Sequence, residues 1–417
     1  MCTLELMRPH AILWPSVALL LAAIVSLPAV SRSSPQQSSF PALDTVLMTG
    51  AQQRLAPGVV AIVVNPERVL YLGAAGQMNV KGRKAMRTDT IFRIASMTKP
   101  FTAVAIMMLQ ENGKLSVEDP VAKYLPAFAH VTVIDTYDEN TGAFTTRKPS
   151  QELLIRHLLS NTSGFGYAFS SPMLKAIRDK TGKATEQLPL LHEPGTLWTY
   201  GMSAKLLGQI VEKVSGVGLD QFFSTRIFQP LGLKDTFYLV PAAKLSRVAT
   251  TNHRNAQGGF TETPNPSRLG SRAVGDGGLF STAADYATFL QMLLNEGQSH
   301  DTTLLQPESV RLMITNQIGD VFVRTQQTTD PLQSKPFPFG AGRDKFGFGF
   351  QIAGVNDENP DLRSPGSYSW AGSDNTHFWV DPTRRIAAVV MMQTTPFYDD
   401  GAMKLLEEFE QAVGKAF

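Results

Sequence analysis

The sequence predicts a mixed α/β (α+β) fold: an antiparallel sheet assembled from the N- and C-terminal sections of the chain, flanked by terminal helices, with a mostly helical insert between them. Three observations carry this reading. Strand-like apolar runs cluster towards both ends of the chain, and helical spacing of apolar residues dominates the middle. The composition, 43% apolar and 18% charged over 417 residues, gives enough core for one large domain or two lobes and excludes a disordered chain.

Taken in order, the first 31 residues read as an address. No Asp, Glu, Lys or Arg occurs from Pro9 to Ser31, Val17 to Val25 is unbroken apolar sequence, Arg8 precedes it, and Ala29-Val30-Ser31 supplies the small residues of a cleavage site. The expectation is a secretory signal peptide cleaved near Ser31, a secreted or periplasmic product, and no stable membrane span afterwards. The competing reading is an uncleaved anchor, for which Pro15 and Pro28 leave only a short run. Met7-Arg8 makes a second plausible start. Residues 32–39 are a polar leader, and residues 40–417 are expected to form the folded domain.

Within that domain, Pro41 to Leu55 has helical spacing. Val59 to Val64, a turn at Asn65 to Arg68 and Val69 to Leu72 read as a hairpin. Ile91 to Ile94 leads into Ser96, and an apolar helix runs from Pro100 to about Gln110, stopped by Asn112-Gly113. Met202 to Ser215 and Ala283 to Asn295 are further helices. Phe346 to Ile352, Tyr368 to Ala371, Thr376 to Val380 and Ile386 to Met392 are strand-like, and Met403 to Val413 closes the chain as an amphipathic helix. A sheet lobe is expected over about 40–95 and 340–417, and a helical lobe over about 96–339.

The net charge is +2, with no basic excess for tracking phosphates, so nucleic acid is a poor partner. The one cysteine, Cys2, excludes an internal disulfide. The seven histidines show no metal-ligand spacing.

Three elements carry chemistry. Ser96-Met97-Thr98-Lys99 is an S-x-x-K sequence. On a helix its two ends share a face, which returns the amine to the hydroxyl at a helix N-terminus. Tyr200, in Trp198-Thr199-Tyr200, supplies a phenol able to carry a proton. In Trp370-Ala371-Gly372, alternation puts Trp370 and Gly372 on one strand face, and the following Ser373 N–H can pair with Ser96 N–H as an oxyanion hole. Alone, each fits a plain structural role: a serine cap, a core tyrosine, a strand with a buried tryptophan. His377 reads as a satisfied strand histidine, Asp276 as a turn residue, and Phe346, Phe348 and Phe350 as core strand packing.

Together these stretches resemble the class C β-lactamase and penicillin-binding-protein-like serine hydrolases, nearest the family VIII carboxylesterases. The resemblance runs from about Val59 to Gln393 through Phe92-Arg93-Ile94-Ala95-Ser96-Met97-Thr98-Lys99-Pro100, Leu158-Leu159-Ser160-Asn161-Thr162-Ser163-Gly164, Pro194-Gly195-Thr196-Leu197-Trp198-Thr199-Tyr200, Gly277-Gly278-Leu279-Phe280-Ser281-Thr282-Ala283-Ala284-Asp285, and Trp370-Ala371-Gly372 with Thr376-His377-Phe378-Trp379-Val380-Asp381-Pro382. It implies a serine β-lactamase-like fold, no metal or organic cofactor, and Ser96 as the acylated nucleophile. Lys99 and Tyr200 would share the proton transfers, and the N–H groups of Ser96 and Ser373 would form the oxyanion hole. Met202, Trp370, Ala371 and Gly372 would meet substrate.

The departures bear on substrate. Tyr200-Gly201-Met202 stands where lactamases have Tyr-x-Asn, and Met202 cannot donate to a substrate amide. Trp370 stands where they have the lysine of Lys-Thr-Gly, so the cation for a substrate carboxylate becomes an aromatic wall. The expected activity is hydrolysis of short-acyl carboxylic esters, with transfer to an alcohol open to it. A β-lactamase or D-alanyl-D-alanine carboxypeptidase, a silent cell-wall-binding protein and a metal-dependent hydrolase are the alternatives. The sequence does not determine an oligomeric state.

Overall fold

The computed structural model describes residues 40–299, 302–356 and 362–417. Residues 1–39, read above as a signal peptide and polar leader and including Cys2, lie outside the described residues.

The sheet is built as the two ends of the chain predict. Strands β1 (Gly58–Val64), β2 (Val69–Asn79) and β3 (Lys84–Ala85) come from the N-terminal section. Strands β4 (Lys345–Phe346), β5 (Gln351–Ile352), β6 (Tyr368–Gly372), β7 (Thr376–Asp381) and β8 (Ile386–Met391) come from the C-terminal section. They form one sheet in the order β4-β5-β6-β7-β8-β1-β2-β3, and every pairing is antiparallel. The central joint is β1 against β8, with Ala61 opposite Val390.

The unbroken apolar run of β1 is explained by cover on both faces. Val60, Ile62 and Val64 enter the large core on one side, whereas Val59, Ala61 and Val63 enter a smaller core on the other. The smaller core is closed by α1 (Pro41–Gln52) and the C-terminal helix Asp400–Ala416, which pack together on that face. The large core is organised around α2 (Lys99–Glu111), buried along its whole length from Lys99 to Leu109, as its apolar circumference requires. Helices α3 (Ser203–Ser215) and α4 (Ala283–Leu294) pack around it, α3 against α2 and α4 against β1 and β8. The C-terminal helix is α5.

One reading is corrected. Phe346 to Ile352 is not a single strand. It is two two-residue strands joined by a turn at Gly347 to Phe350. Gly349 has φ +94°, and a Cβ at Gly347 would meet the Met313 carbonyl at 2.0 Å. The glycines fold the segment back, and the three phenylalanines are buried as turn anchors. Among the described residues, no helix is long and apolar enough to cross a membrane.

Candidate active site

The chain enters the site along a short strand, Phe92–Arg93, and Ile94 N–H donates to the Leu279 carbonyl at 3.0 Å. Ala95 then takes φ +44°, a left-handed conformation that a non-glycine residue holds only when its surroundings impose it. The turn lifts Ser96 into a 3₁₀ segment, Ala95–Thr98, which runs straight into α2. Pro100 falls in the first turn, where a missing N–H costs least. The Tyr286 hydroxyl donates to the Met97 carbonyl at 2.9 Å and pins the turn from α4.

Two donors converge on the half-buried Ser96. Tyr200 donates its hydroxyl to Ser96 Oγ at 2.6 Å, and Lys99 Nζ donates to the same oxygen at 2.9 Å. Lys99 is buried, and its amine also donates to the Asp276 carbonyl at 2.8 Å. It lies 4.8 Å from the centre of the Tyr200 ring, whose negative face favours a cation there.

Tyr200 sits in the loop before α3. Its own N–H donates to Gln326 Oε1 at 3.2 Å. The next residue has to be glycine: a Cβ at Gly201 would meet the Phe165 carbonyl at 2.0 Å. The Tyr200 ring is gripped by Tyr167, Phe337 and Trp370, at 5.5, 5.6 and 5.1 Å between centroids.

Sequence reasoning underrated Asp276 and passed over Tyr167. Asp276 is more than a turn residue, because its carbonyl receives the Lys99 amine and its carboxylate receives the Tyr167 hydroxyl at 2.7 Å. Burial, and then the adjacent Asp276 charge, hold the Tyr167 phenol well above its ordinary pKa, so it remains a donor. The only local sign was the Gly-rich stretch around Asp276. Gln326 had none.

The C-terminal strand β6 brings its end against the serine turn. Gly372 is needed there, though not to admit substrate: a Cβ would strike the Ile94 carbonyl at 2.3 Å and Thr376 Oγ1 at 2.4 Å. The approach it permits is that of the chain entering Ala95 and Ser96. Among the described residues, neither Ser96 N–H nor Ser373 N–H finds a protein acceptor, which leaves both free for a substrate oxygen.

Ser96, Tyr200, Trp370, Ala371 and Ser373 all line one cavity of ≈ 350 Å³. Met202 does not. It is buried and borders a separate cavity with Tyr167, Lys205 and Asp276. His377 is buried as expected and lines the cavity, but among the described residues its Nε2, shut off from solvent, has no hydrogen-bond partner. No cluster of three or more His, Cys, Asp or Glu side chains suited to a metal occurs among the described residues.

A serine whose hydroxyl is shared by a lysine and a tyrosine, at the junction of an antiparallel sheet and a buried helix, defines an active-site serine enzyme of the acyl-transferring kind. The chain belongs to the beta-lactamase family, whose sequence model matches residues 43–412. It is 33% identical over 364 residues to Protein Rv1367c of Mycobacterium tuberculosis, spanning 82% of this chain and 87% of that one. It is 27% identical over 397 residues to the monacolin J acid methylbutanoyltransferase of Aspergillus terreus, spanning 89% and 94%. Its fold matches EstCE1, described as a hydrolase with promiscuous acyltransferase activity, with TM-score 0.72 at 22% identity over 90% of this chain and 99% of that one. The β-lactamase-like fold and the serine hydrolase class read from the sequence therefore stand, and the relatives extend that class to acyltransferases.

Proposed function

We propose that the protein is a serine esterase that acts on uncharged carboxylic esters through an acyl-enzyme on Ser96 and passes the acyl group to water or to an alcohol. The observation that carries this is the convergence of the Tyr200 hydroxyl and the Lys99 amine on Ser96 Oγ in a cavity walled by Trp370. In the reactive form the pair holds one proton fewer, lost from either Tyr200 Oη or Lys99 Nζ; the lone pair so freed takes the hydroxyl proton as Ser96 Oγ bonds the ester carbonyl carbon. The carbonyl oxygen takes the negative charge between Ser96 N–H and Ser373 N–H. Collapse breaks the bond to the alcohol oxygen, which leaves with a proton from Tyr200. Water or a second alcohol then loses a proton to the same pair and attacks the acyl carbon, and collapse breaks the bond to Ser96 Oγ, which takes that proton back.

Charge pairing favours an uncharged substrate. Of the arginines lining the cavity, Arg343 pairs with Asp344 at 2.9 Å and Arg363 with Glu410 at 2.7 Å. Among the described cavity residues, no unpaired cation waits for a carboxylate. An anion taken into that space would be desolvated without a partner, a cost of about 3 kcal/mol or more. With purified enzyme, kcat/KM for short p-nitrophenyl esters is expected to exceed that for nitrocefin or a D-Ala-D-Ala peptide by about 10²-fold. The reverse order would make it a lactamase or peptidase instead.

The apolar run and small-residue site in residues 1–31 support export as part of the same proposal. N-terminal sequencing of the exported protein is expected to begin near Arg32. Retention of the intact leader on a cell-associated protein would remove this point.

A further inference from the structure

Lys99 does not line the cavity that holds Ser96 and Tyr200. It lines a second, much smaller one, where α2 meets α3, with a volume of ≈ 20 Å³. That is about the room of a single water molecule. Ala103 of α2, Ala204 and Leu207 of α3 and the Trp370 ring give it apolar walls. The Trp370 indole nitrogen is itself shut in. The other polar side chains on this cavity are Lys99 and Asn161.

Both have hydrogen-bonding capacity to spare. Lys99 Nζ bonds Ser96 Oγ and the Asp276 carbonyl, and its third position, an N–H or a lone pair, has no hydrogen-bond partner among the described residues. Asn161 is 6% exposed, and among the described residues its amide makes no hydrogen bond, yet it is not shut in as the Trp198 and Trp370 nitrogens are. Its neighbours are all satisfied. Ser160 Oγ bonds the Arg156 carbonyl at 2.7 Å and Thr162 Oγ1 at 2.9 Å, and Ser163 Oγ bonds Ser203 Oγ at 2.8 Å. The Asn161 backbone is left-handed, at φ +56°, and its carbonyl accepts from Thr199 N–H at 2.8 Å. One residue thus grips the loop just before Tyr200 and lines the space beside Lys99. A nearly buried amide without a partner is costly, and a water able to bond it removes the cost.

We infer that one water is bound between the Lys99 amine and the Asn161 amide, and that Asn161 is a positioning residue which, through this water, holds the amine on Ser96. An amide suits the task because it carries both an acceptor and a donor. When Lys99 has its full complement of protons, the water accepts from the amine and donates to Asn161 Oδ1. When Lys99 lacks one, the water donates to the amine lone pair and accepts from Asn161 Nδ2. The bridge therefore persists through each proton transfer and gives up no proton of its own. This rests on Ser96 acylation with Lys99 and Tyr200 as the pair that handles protons. A left-handed backbone by itself also favours asparagine, but glycine meets that need as well, so glycine is the discriminating substitution.

The test compares Asn161→Gly, Ala103→Val and the double variant on a short p-nitrophenyl ester and on a fluorophosphonate probe, with melting temperatures to check each fold. Glycine keeps the left-handed turn and the bond from Thr199 and removes the amide. Valine adds two methyl groups where Ala103 lines the cavity, and so displaces the water with Asn161 intact. Each single variant is expected to lower kcat about tenfold with KM unchanged, and to slow labelling of Ser96 by a similar factor. Because both remove the same water, the double variant is expected to lose no more than either alone. A high-resolution crystal structure of the wild type, which needs no variant to fold, is expected to show the water bonded to Lys99 Nζ and to the Asn161 amide. Undiminished kcat and labelling in folded Asn161→Gly, losses that multiply in the double variant, or a cavity without water in the crystal would overturn the assignment while leaving the esterase reading intact. A wild-type protein that neither turns over an ester nor takes the probe would remove both.

Discussion

Ser96→Ala is expected to lower kcat on a short p-nitrophenyl ester by about 10⁴-fold or more and to abolish covalent labelling by a fluorophosphonate probe. The side chain removed is the only atom group on which both Tyr200 and Lys99 converge, so the variant loses the nucleophile and the purpose of its activators together. Among the described residues, that hydroxyl has no other hydrogen-bond partner. Ser96 is half-buried at a turn held by the Ile94–Leu279 and Tyr286–Met97 hydrogen bonds, so the melting temperature should hardly move. Labelling that persists in Ser96→Ala would place the reactive group elsewhere.

Tyr200→Phe carries the second largest effect. Phenylalanine keeps the ring contacts with Tyr167, Phe337 and Trp370 and removes one oxygen. Ser96 Oγ then has only the lysine beside it, and the leaving alcohol has no phenol to protonate it. A loss of about 10²–10⁴-fold in kcat with little change in KM is expected, the signature of a group used in the transition state rather than in binding. An equal fall in 1/KM with kcat preserved would make Tyr200 a wall of the binding site and would shift the proton work to Lys99 alone.

The parts of this molecule that were legible in the sequence are those with a local signal. The VVAIVV run of β1, the Ser96-x-x-Lys99 spacing on an apolar helix and the Asn112-Gly113 stop each announce their own conformation, because backbone period and turn chemistry act over a few residues. Gly372 was singled out correctly, but the contact it serves was not. A glycine marks a close approach without saying which chain approaches, and here it is Ile94. The alternating Phe346, Phe348 and Phe350 imitated a strand because burial and period agreed, whereas Gly347 and Gly349 broke the pairing. What stayed hidden is long-range. The Tyr167–Asp276 bond joins residues 109 apart, and neither residue has neighbours that foretell the other. The unmet nitrogen of His377 is a property of its surroundings, which no local spacing records.

The joint between β1 and β8 also governs the order in which this enzyme can come into being. The two central strands lie near opposite ends of the chain, and beside them Arg93 N–H donates to Gln393 Oε1 across 300 residues, just ahead of the serine turn. Until the last quarter of the polypeptide has been synthesised, β1 has no partner on one side and the turn bearing Ser96 lacks β6 beside it. Such distant pairing closes late and makes folding slow. The nascent chain therefore carries its serine without the contacts of β6 until the C-terminal strands join the sheet.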